Sequence, residues 1–474
     1  MESPGLNGCS PEAATSGPAD RRRRAILLGI GAAALGGCVG ARPDLLRLYE
    51  PSSERHERVP PVVLIPGLLG SRLRRTDTAA EAWPGPPLSW LAQSFGGLEL
   101  AVPGAPSPAA ELEPAGLTDS AVGRDFYGRI LSVLIVAGGY VRGVPGQKPP
   151  DTRPCVYTLD YDWRQDNVST AMRLEALIDQ IRLDHGRPDL RVDVIAHSMG
   201  GLVVRYYARY GTADVLDGND FPVTLAGEKK LRRVVLLGTP NLGSVRALHS
   251  LVTGFPVGPV KVPPEIVATM PSAYQLLPHA INDWIITPDG RSLERDQFDV
   301  EIWRRFRWGV FDPDVRRRVA GRYGGARRLE ALEQATHVYL ERARRFTWSL
   351  TVPVPGSRLR FAAFGGVCRP TPARVIVEEI SGESVVRFYP GEVRSRSGGR
   401  SSDELMIEPG DGTVTKASLL GRHELDPRIP RHRYANVELD YPVFLCEEHS
   451  QLTGNPSFQD NLLHYLLSAD GAPV

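Results

Sequence analysis

The chain has 474 residues, 42% of them hydrophobic, which is enough for a large buried core. Its length would suit about three domains of ~150 residues, although large α/β enzymes also fold as one core with insertions. Lysine and arginine number 56 against 55 acidic residues, a net charge of +1, so nothing points to a polyanion-binding surface or a nucleic-acid partner.

The first 20 residues are small and polar, and RRRRAILLGIGAAALGGC follows. Four arginines precede an apolar run, Ala25 to Gly37, that is too short to span a membrane and fits the apolar region of an export signal. Arg23-Arg24-Ala25-Ile26-Leu27 loosely resembles a twin-arginine export motif. Leu35-Gly36-Gly37-Cys38 resembles the lipobox of bacterial lipoproteins, in which the cysteine is acylated and becomes the new amino terminus. This predicts an export signal with lipobox over 1–38, lipidation at Cys38 and a place in the bacterial cell envelope. An ordinary cleaved signal or an uncleaved anchor is the alternative. Residues 39–58 read as a tether and 59–474 as the folded domain. With Cys9 and Cys38 set aside, Cys155, Cys368 and Cys446 remain, an odd number that cannot pair fully. Cys155 and Cys368 sit in apolar runs and read as buried thiols. No metal-ligand spacing is visible, and no cofactor is expected.

VPPVVLIPG, Val59 to Gly67, is a continuous apolar run ended by Pro-Gly, which suits a strand covered on both faces. Residues 76–120 are rich in Pro, Ala and Gly, with Trp83 and Trp90 among them, and read as an insertion. A helix is predicted over Asp125 to Gly139 and a strand over Cys155 to Trp163. Met172, Leu174, Leu177, Ile178 and Ile181 recur at helical spacing between Asn167 and His185. A strand over 191–195, a turn at Ser198, a helix over 199–210 and a strand over Leu231 to Pro240 follow. This alternation predicts a parallel, doubly wound α/β sheet with right-handed crossovers. The alternation breaks over 242–350, which reads as a cap rich in arginine and aromatic residues. Arg358 to Val367 resumes strand character. A hairpin over Arg374 to Tyr389, the loop sequence GDGTV, an apolar stretch Tyr441 to Cys446 and a helix from Pro456 to Leu467 complete the chain.

RVDVIAHSMGG carries the chemistry. A buried strand, a tight turn at Ser198 and a glycine-opened helix form the elbow on which an α/β-hydrolase mounts its nucleophile. Ala196 stands where the G-x-S-x-G pattern has its first glycine, and a methyl group keeps that position small. A serine hydroxyl needs a base to take its proton, and the base needs an acid to hold its tautomer. In this fold the acid and then the base follow the serine in the chain. Asp411, between two glycines, and His449, after an apolar stretch, fit that order. Read singly, each has a plainer role, as a turn aspartate and a surface histidine. His197 adjoins the serine, but its side chain should point away from the hydroxyl. His423 and His432 lie in Arg/Pro-rich segments. Asp162 precedes the serine and is expected to pair with Arg164. The amides of Leu68, after the first strand, and Met199, after the serine, are the candidate oxyanion donors.

VVLIPGLLGSRL, LDYDWR, AHSMGG, GTPNLGS, MPSAYQLLP, GDGTV and the late His449 stand in the order found in the lecithin:cholesterol acyltransferase family, and the chain resembles that family over nearly all of its length after residue 58. The resemblance implies an α/β-hydrolase core with an inserted cap or lid at 242–350 and a membrane-contacting segment at 76–120. It implies Ser198 as nucleophile, Asp411 as orienting acid, His449 as base, and Leu68 and Met199 at the oxyanion hole. It further implies cleavage of an acyl ester from a phospholipid or neutral lipid, with transfer of the acyl group to an alcohol acceptor or to water. The cysteine pair that brackets the early insertion in secreted animal members is absent here. Two alternatives remain at this level: a plain lipase or phospholipase with water as acceptor, and a non-catalytic envelope lipoprotein on a hydrolase scaffold. The cap arginines and tryptophans suggest docking at an anionic lipid surface, or else an ordinary solvated face over core aromatics. Oligomeric state is not legible.

Overall fold

The computed structural model describes residues 44–53, 59–86, 95–105, 110–118, 120–121, 124–321, 325–354, 356–395, 399–421, 437 and 439–468. The expected export signal, Cys38, Trp90, His423 and His432 lie outside these residues.

Seven strands make the central sheet: β1 (Val62–Ile65), β2 (Val141–Arg142), β3 (Cys155–Thr158), β4 (Val192–His197), β5 (Leu231–Leu237), β6 (Phe361–Gly366) and β7 (Leu439–Leu445). They run in the order β7-β6-β5-β4-β1-β3-β2. Every neighbouring pair is parallel. β1 and β4, at the centre, are buried at every residue, and β-branched residues dominate both, as a sheet covered on two faces demands. The chain order reverses beside β1, between β4 and β3, and doubly wound sheets open a crevice at such a point.

The principal helices are α1 (Gly128–Val136), α2 (Asn167–Asp184), α3 (Met199–Tyr210), α4 (Val245–Thr253), α5 (Gly325–Ser349) and α6 (Pro456–Leu467). Asp166 caps α2 by accepting from the Val168 amide at 2.8 Å, and Asn455 does the same for α6 at Ser457 and Phe458. All twelve residues of α3 are buried. Among the described residues, no helix is long and apolar enough to cross a membrane.

Three structural findings depart from the sequence reading or refine it. Part of the stretch read as a tether, Leu45–Ser53, is helical, and the Tyr49 hydroxyl donates to Asp460 in α6. The early insertion contains an antiparallel sheet of Glu81–Trp83, Ser71–Arg75 and Leu112–Leu117. Cys368 is not a buried thiol. It lies beyond the end of β6 and forms a disulfide with Cys446, just past β7, with a Cα–Cα distance of 5.0 Å. Cys155, in the buried strand β3, is a free buried thiol.

The cap aromatics are interior. Trp303 and Trp308 are 1% and 3% exposed and pack edge to face, with ring centroids 5.7 Å apart. Trp303 and Trp308 therefore form no exposed docking surface of the kind expected from them. Several cap arginines are engaged as well: Arg342 with Asp166 and Asp214, Arg344 with Glu341 and Asp296, Arg318 with Glu265. Apolar area around the tryptophans outweighs the interleaved charges, which turn outward and pair.

Candidate active site

The turn after β4 carries Ser198 in a left-handed conformation, φ 53° and ψ −123°. Only close packing sustains such a backbone at a non-glycine residue. The packing is visible at its neighbours. A Cβ on Gly200 would lie 2.7 Å from the Pro66 carbonyl oxygen, and one on Gly201 would collide with Thr239. Ala196, by contrast, sits within the strand, paired to Ile65 and Leu236, where a methyl group has room. The Ser198 amide donates to the Leu237 carbonyl at 2.8 Å. The hydroxyl thus stands above the sheet at the positive end of α3.

His449 follows β7, at the start of a short 3₁₀ turn. Its Nε2 lies 2.9 Å from Ser198 Oγ, and its Nδ1 lies 2.8 Å from Asp411 Oδ2. The carboxylate can only accept, so Nδ1 carries the proton and Nε2 is left to accept the serine proton. Asp411 is 2% exposed. Its other oxygen accepts from the Thr413 amide at 2.9 Å and the Val414 amide at 2.7 Å, so the carboxylate cannot turn away. The His449 amide donates to the Asp411 carbonyl at 3.0 Å. The structure therefore brings together the three residues singled out in the sequence, from positions 251 and 38 residues apart.

The loop after β1 closes on Ser198 from the other side. Tyr161 donates to the Pro66 carbonyl at 2.7 Å, Trp163 to the Ser71 carbonyl at 3.0 Å, and Trp83 to the Leu69 carbonyl at 2.8 Å. The Leu68 and Met199 amides are both without a protein acceptor among the described residues. Trp83 is only 3% exposed and lines the cavity, which corrects its expected place on a membrane-contacting surface. Its apolar ring is worth more against Trp163, 5.8 Å away edge to face, than in water.

Several of the motif segments of the chain act as braces. Asp162 pairs with Arg164 at 2.7 Å, as expected, while its neighbours Tyr161 and Trp163 hold the loop. Ser272 of MPSAYQLLP donates to the Trp163 carbonyl at 2.7 Å. Ser244 of GTPNLGS donates to the Thr413 carbonyl, beside the acid. His197 points away from the serine hydroxyl, yet its Nε2 reaches the His449 carbonyl at 3.2 Å. The sequence reading missed Tyr127, Tyr161 and Trp163 as site residues. The only available cue was the position of YDWR at the carboxyl end of a buried strand.

A cavity of about 870 Å³ opens over Ser198 and His449. Leu68, Leu69, Trp83, Trp163, Met270 and Leu276 form part of its apolar wall, and Arg246, Arg369 and Glu448 stand among its polar residues. The cap hairpin Phe255–Val257 and Val260–Val262 supplies another wall. Such a chamber suits a largely apolar ligand with one polar group near the serine.

Fold and elbow together define an α/β-hydrolase. Residues 152–298 match the family model for lecithin:cholesterol acyltransferase. The lysosomal phospholipase A and acyltransferase of Rattus norvegicus is 26% identical over 249 residues, 44% of this chain and 54% of its own length. The match thus spans about half of that relative. Among solved structures, a chain of the Tle4-Tli4 complex superposes over 86% of this chain and 98% of its own, with 14% identity and a TM-score of 0.53. That likeness is one of fold. Lipase 1 from Pelosinus fermentans aligns over 87% of this chain and 99% of its own at 12% identity, with a TM-score of 0.36.

Proposed function

We propose that this chain is a serine-dependent lipid acyltransferase or lipase that takes its acyl group from a phospholipid or neutral lipid. The observation that carries the reading is the Ser198–His449–Asp411 hydrogen-bonded line at an apolar cavity. Ser198 Oγ attacks the ester carbonyl while His449 Nε2 takes its proton, and Asp411 stabilises the imidazolium that forms. The amides of Leu68 and Met199 receive the developing oxyanion. His449 then returns the proton to the leaving alcohol. It next takes the proton of an acceptor, alcohol or water, whose oxygen attacks the acyl carbon, and returns that proton to Ser198 Oγ as the acyl group leaves.

The family and the phospholipase-acyltransferase relative support acyl-ester chemistry. The enclosed apolar walls favour a long acyl chain. The amino-terminal reading belongs to the same proposal: export, acylation of Cys38 and anchorage at a cell-envelope membrane. Mass spectrometry of the mature amino terminus tests that part.

The central test compares wild type with Ser198→Ala on mixed phospholipid vesicles, with and without a long-chain alcohol. Wild type should yield free fatty acid, and the added alcohol should divert acyl groups into a new ester. Ser198→Ala should lose at least about 10³-fold in rate. Unchanged turnover in Ser198→Ala would refute the mechanism. An enzyme that forms only fatty acid, whatever the alcohol, is a plain lipase.

A further inference from the structure

Behind the serine lies a second hydrogen-bonded line that the mechanism does not use. The Tyr127 hydroxyl, at the foot of α1, accepts from the Gly67 amide at 2.8 Å and lies 2.8 Å from His197 Nδ1. The His449 carbonyl, 3.2 Å from His197 Nε2, can only accept, so Nε2 carries the proton of the neutral ring. His197 Nδ1 is then the bare nitrogen, and the phenol donates its proton to it. The direction of every link is fixed by this logic. Burial holds both groups neutral: it raises the phenol well above its ordinary range and pushes the imidazole down to about 3.

The two ends of the line matter. At one end, the Gly67 amide is held by Tyr127 and the Gly67 carbonyl accepts from the Gly70 amide at 3.0 Å. The peptide that presents the Leu68 amide is therefore fixed from both sides. At the other end, the His449 carbonyl is held by His197 while the His449 amide is held by Asp411. We propose that Tyr127 and His197 are positioning residues that lock the oxyanion loop and the base into one register across the nucleophile. This rests on the reading of Ser198 as nucleophile. It gives the histidine that precedes the serine a task of its own.

The test uses the full chain, a short-chain p-nitrophenyl ester and a fluorophosphonate probe for Ser198. Tyr127→Phe keeps the ring and removes the link. Its kcat should fall about 100-fold through misplacement of the oxyanion donor, with KM within about twofold. A second pair guards against a folding defect. His197→Phe removes the donor to His449, whereas His197→Gln places an amide N–H where Nε2 stood. Loss of kcat in the Phe variant with substantial recovery in the Gln variant supports positioning, because a loss of packing alone would not be repaired by Gln. Tyr127→Phe and His197→Phe that fold, label and turn over like wild type overturn the proposal. So does equal impairment of His197→Phe and His197→Gln. Wild-type protein that neither labels nor hydrolyses overturns the reading of the site itself, and the positioning role falls with it.

Discussion

Gly67 leaves no room for a side chain beside Ser198: a Cβ built on Gly67 would stand 2.7 Å from the Ser198 Cβ and 3.3 Å from the His197 carbonyl oxygen. No side chain fits between the oxyanion loop and the nucleophile. Gly67→Ala should therefore push the Leu68 amide out of line. We expect kcat to fall by about 100-fold, with little change in KM, since displacement of about 1 Å has that cost. Steady-state kinetics on a short-chain ester measures it, and a rate within a few-fold of wild type would show the loop to be pliant.

Acid should destabilise the fold through its buried histidines. Burial pushes His197, His249 and His279 each down to about 3, against an unfolded value near ~6.5. Between these values the unfolded chain binds more protons than the folded one, so stability rises with pH there. It is retained above pH ~6.5 and lost as pH falls toward 3, by about 2 kcal/mol per histidine at pH ~5. His249 isolates the effect. Neither of its ring nitrogens has a hydrogen-bonding partner among the described residues, and it packs between Phe388 and Tyr389. His249→Phe should raise the melting temperature at pH 5 more than at pH 7.5. A variant with the wild-type pH slope would show that His249 does not contribute.

Met270 is 4% exposed and faces the cavity. Met270→Trp should shorten the apolar chamber, since extra volume in a packed wall costs ~1–3 kcal/mol. The ratio of palmitoyl to butyryl ester turnover should drop about tenfold while butyryl turnover stays near wild type. An unchanged ratio would place the acyl chain elsewhere.

The Cys368–Cys446 bridge spans 78 residues of sequence and stands three residues before His449. Cys368→Ala/Cys446→Ala should lose about 2–4 kcal/mol of stability, read by chemical denaturation. Its kcat should also fall, because the segment just past the β6–β7 ladder is then held by weaker ties such as Val367 N–H to the Leu445 carbonyl, 3.0 Å, and the Arg369–Glu448 ion pair, 3.3 Å. Equal stability with and without the bridge would leave it no role in the fold.

The strand-turn-helix around Ser198 was legible because its periodicity and small residues are local. The helix Pro456–Leu467 has the bounds read from the sequence. β2 was not legible: two residues, Val141–Arg142, are too few to show a period. The braces of the oxyanion loop were hidden for another reason. Tyr127, Tyr161 and Trp83 come from different segments, and a lone aromatic looks the same whether it fills a core or holds a carbonyl. Cysteine pairing was equally unreadable, since it depends on a Cα separation that sequence spacing does not encode. Trp303 and Trp308 misled in the opposite direction, because neighbouring charges made interior rings look like surface ones.

The distribution of the site over the sheet has a consequence for assembly. Ser198 comes from a central strand and His449 from the end of an edge strand, 251 residues later. An emerging chain can build the elbow well before the partner that would deprotonate it exists. Fluorophosphonate reactivity should consequently appear only when β7 has docked beside β6. Labelling of Ser198 would then time the last step of maturation, and an interrupted chain would carry a serine that is shaped for its task and chemically silent.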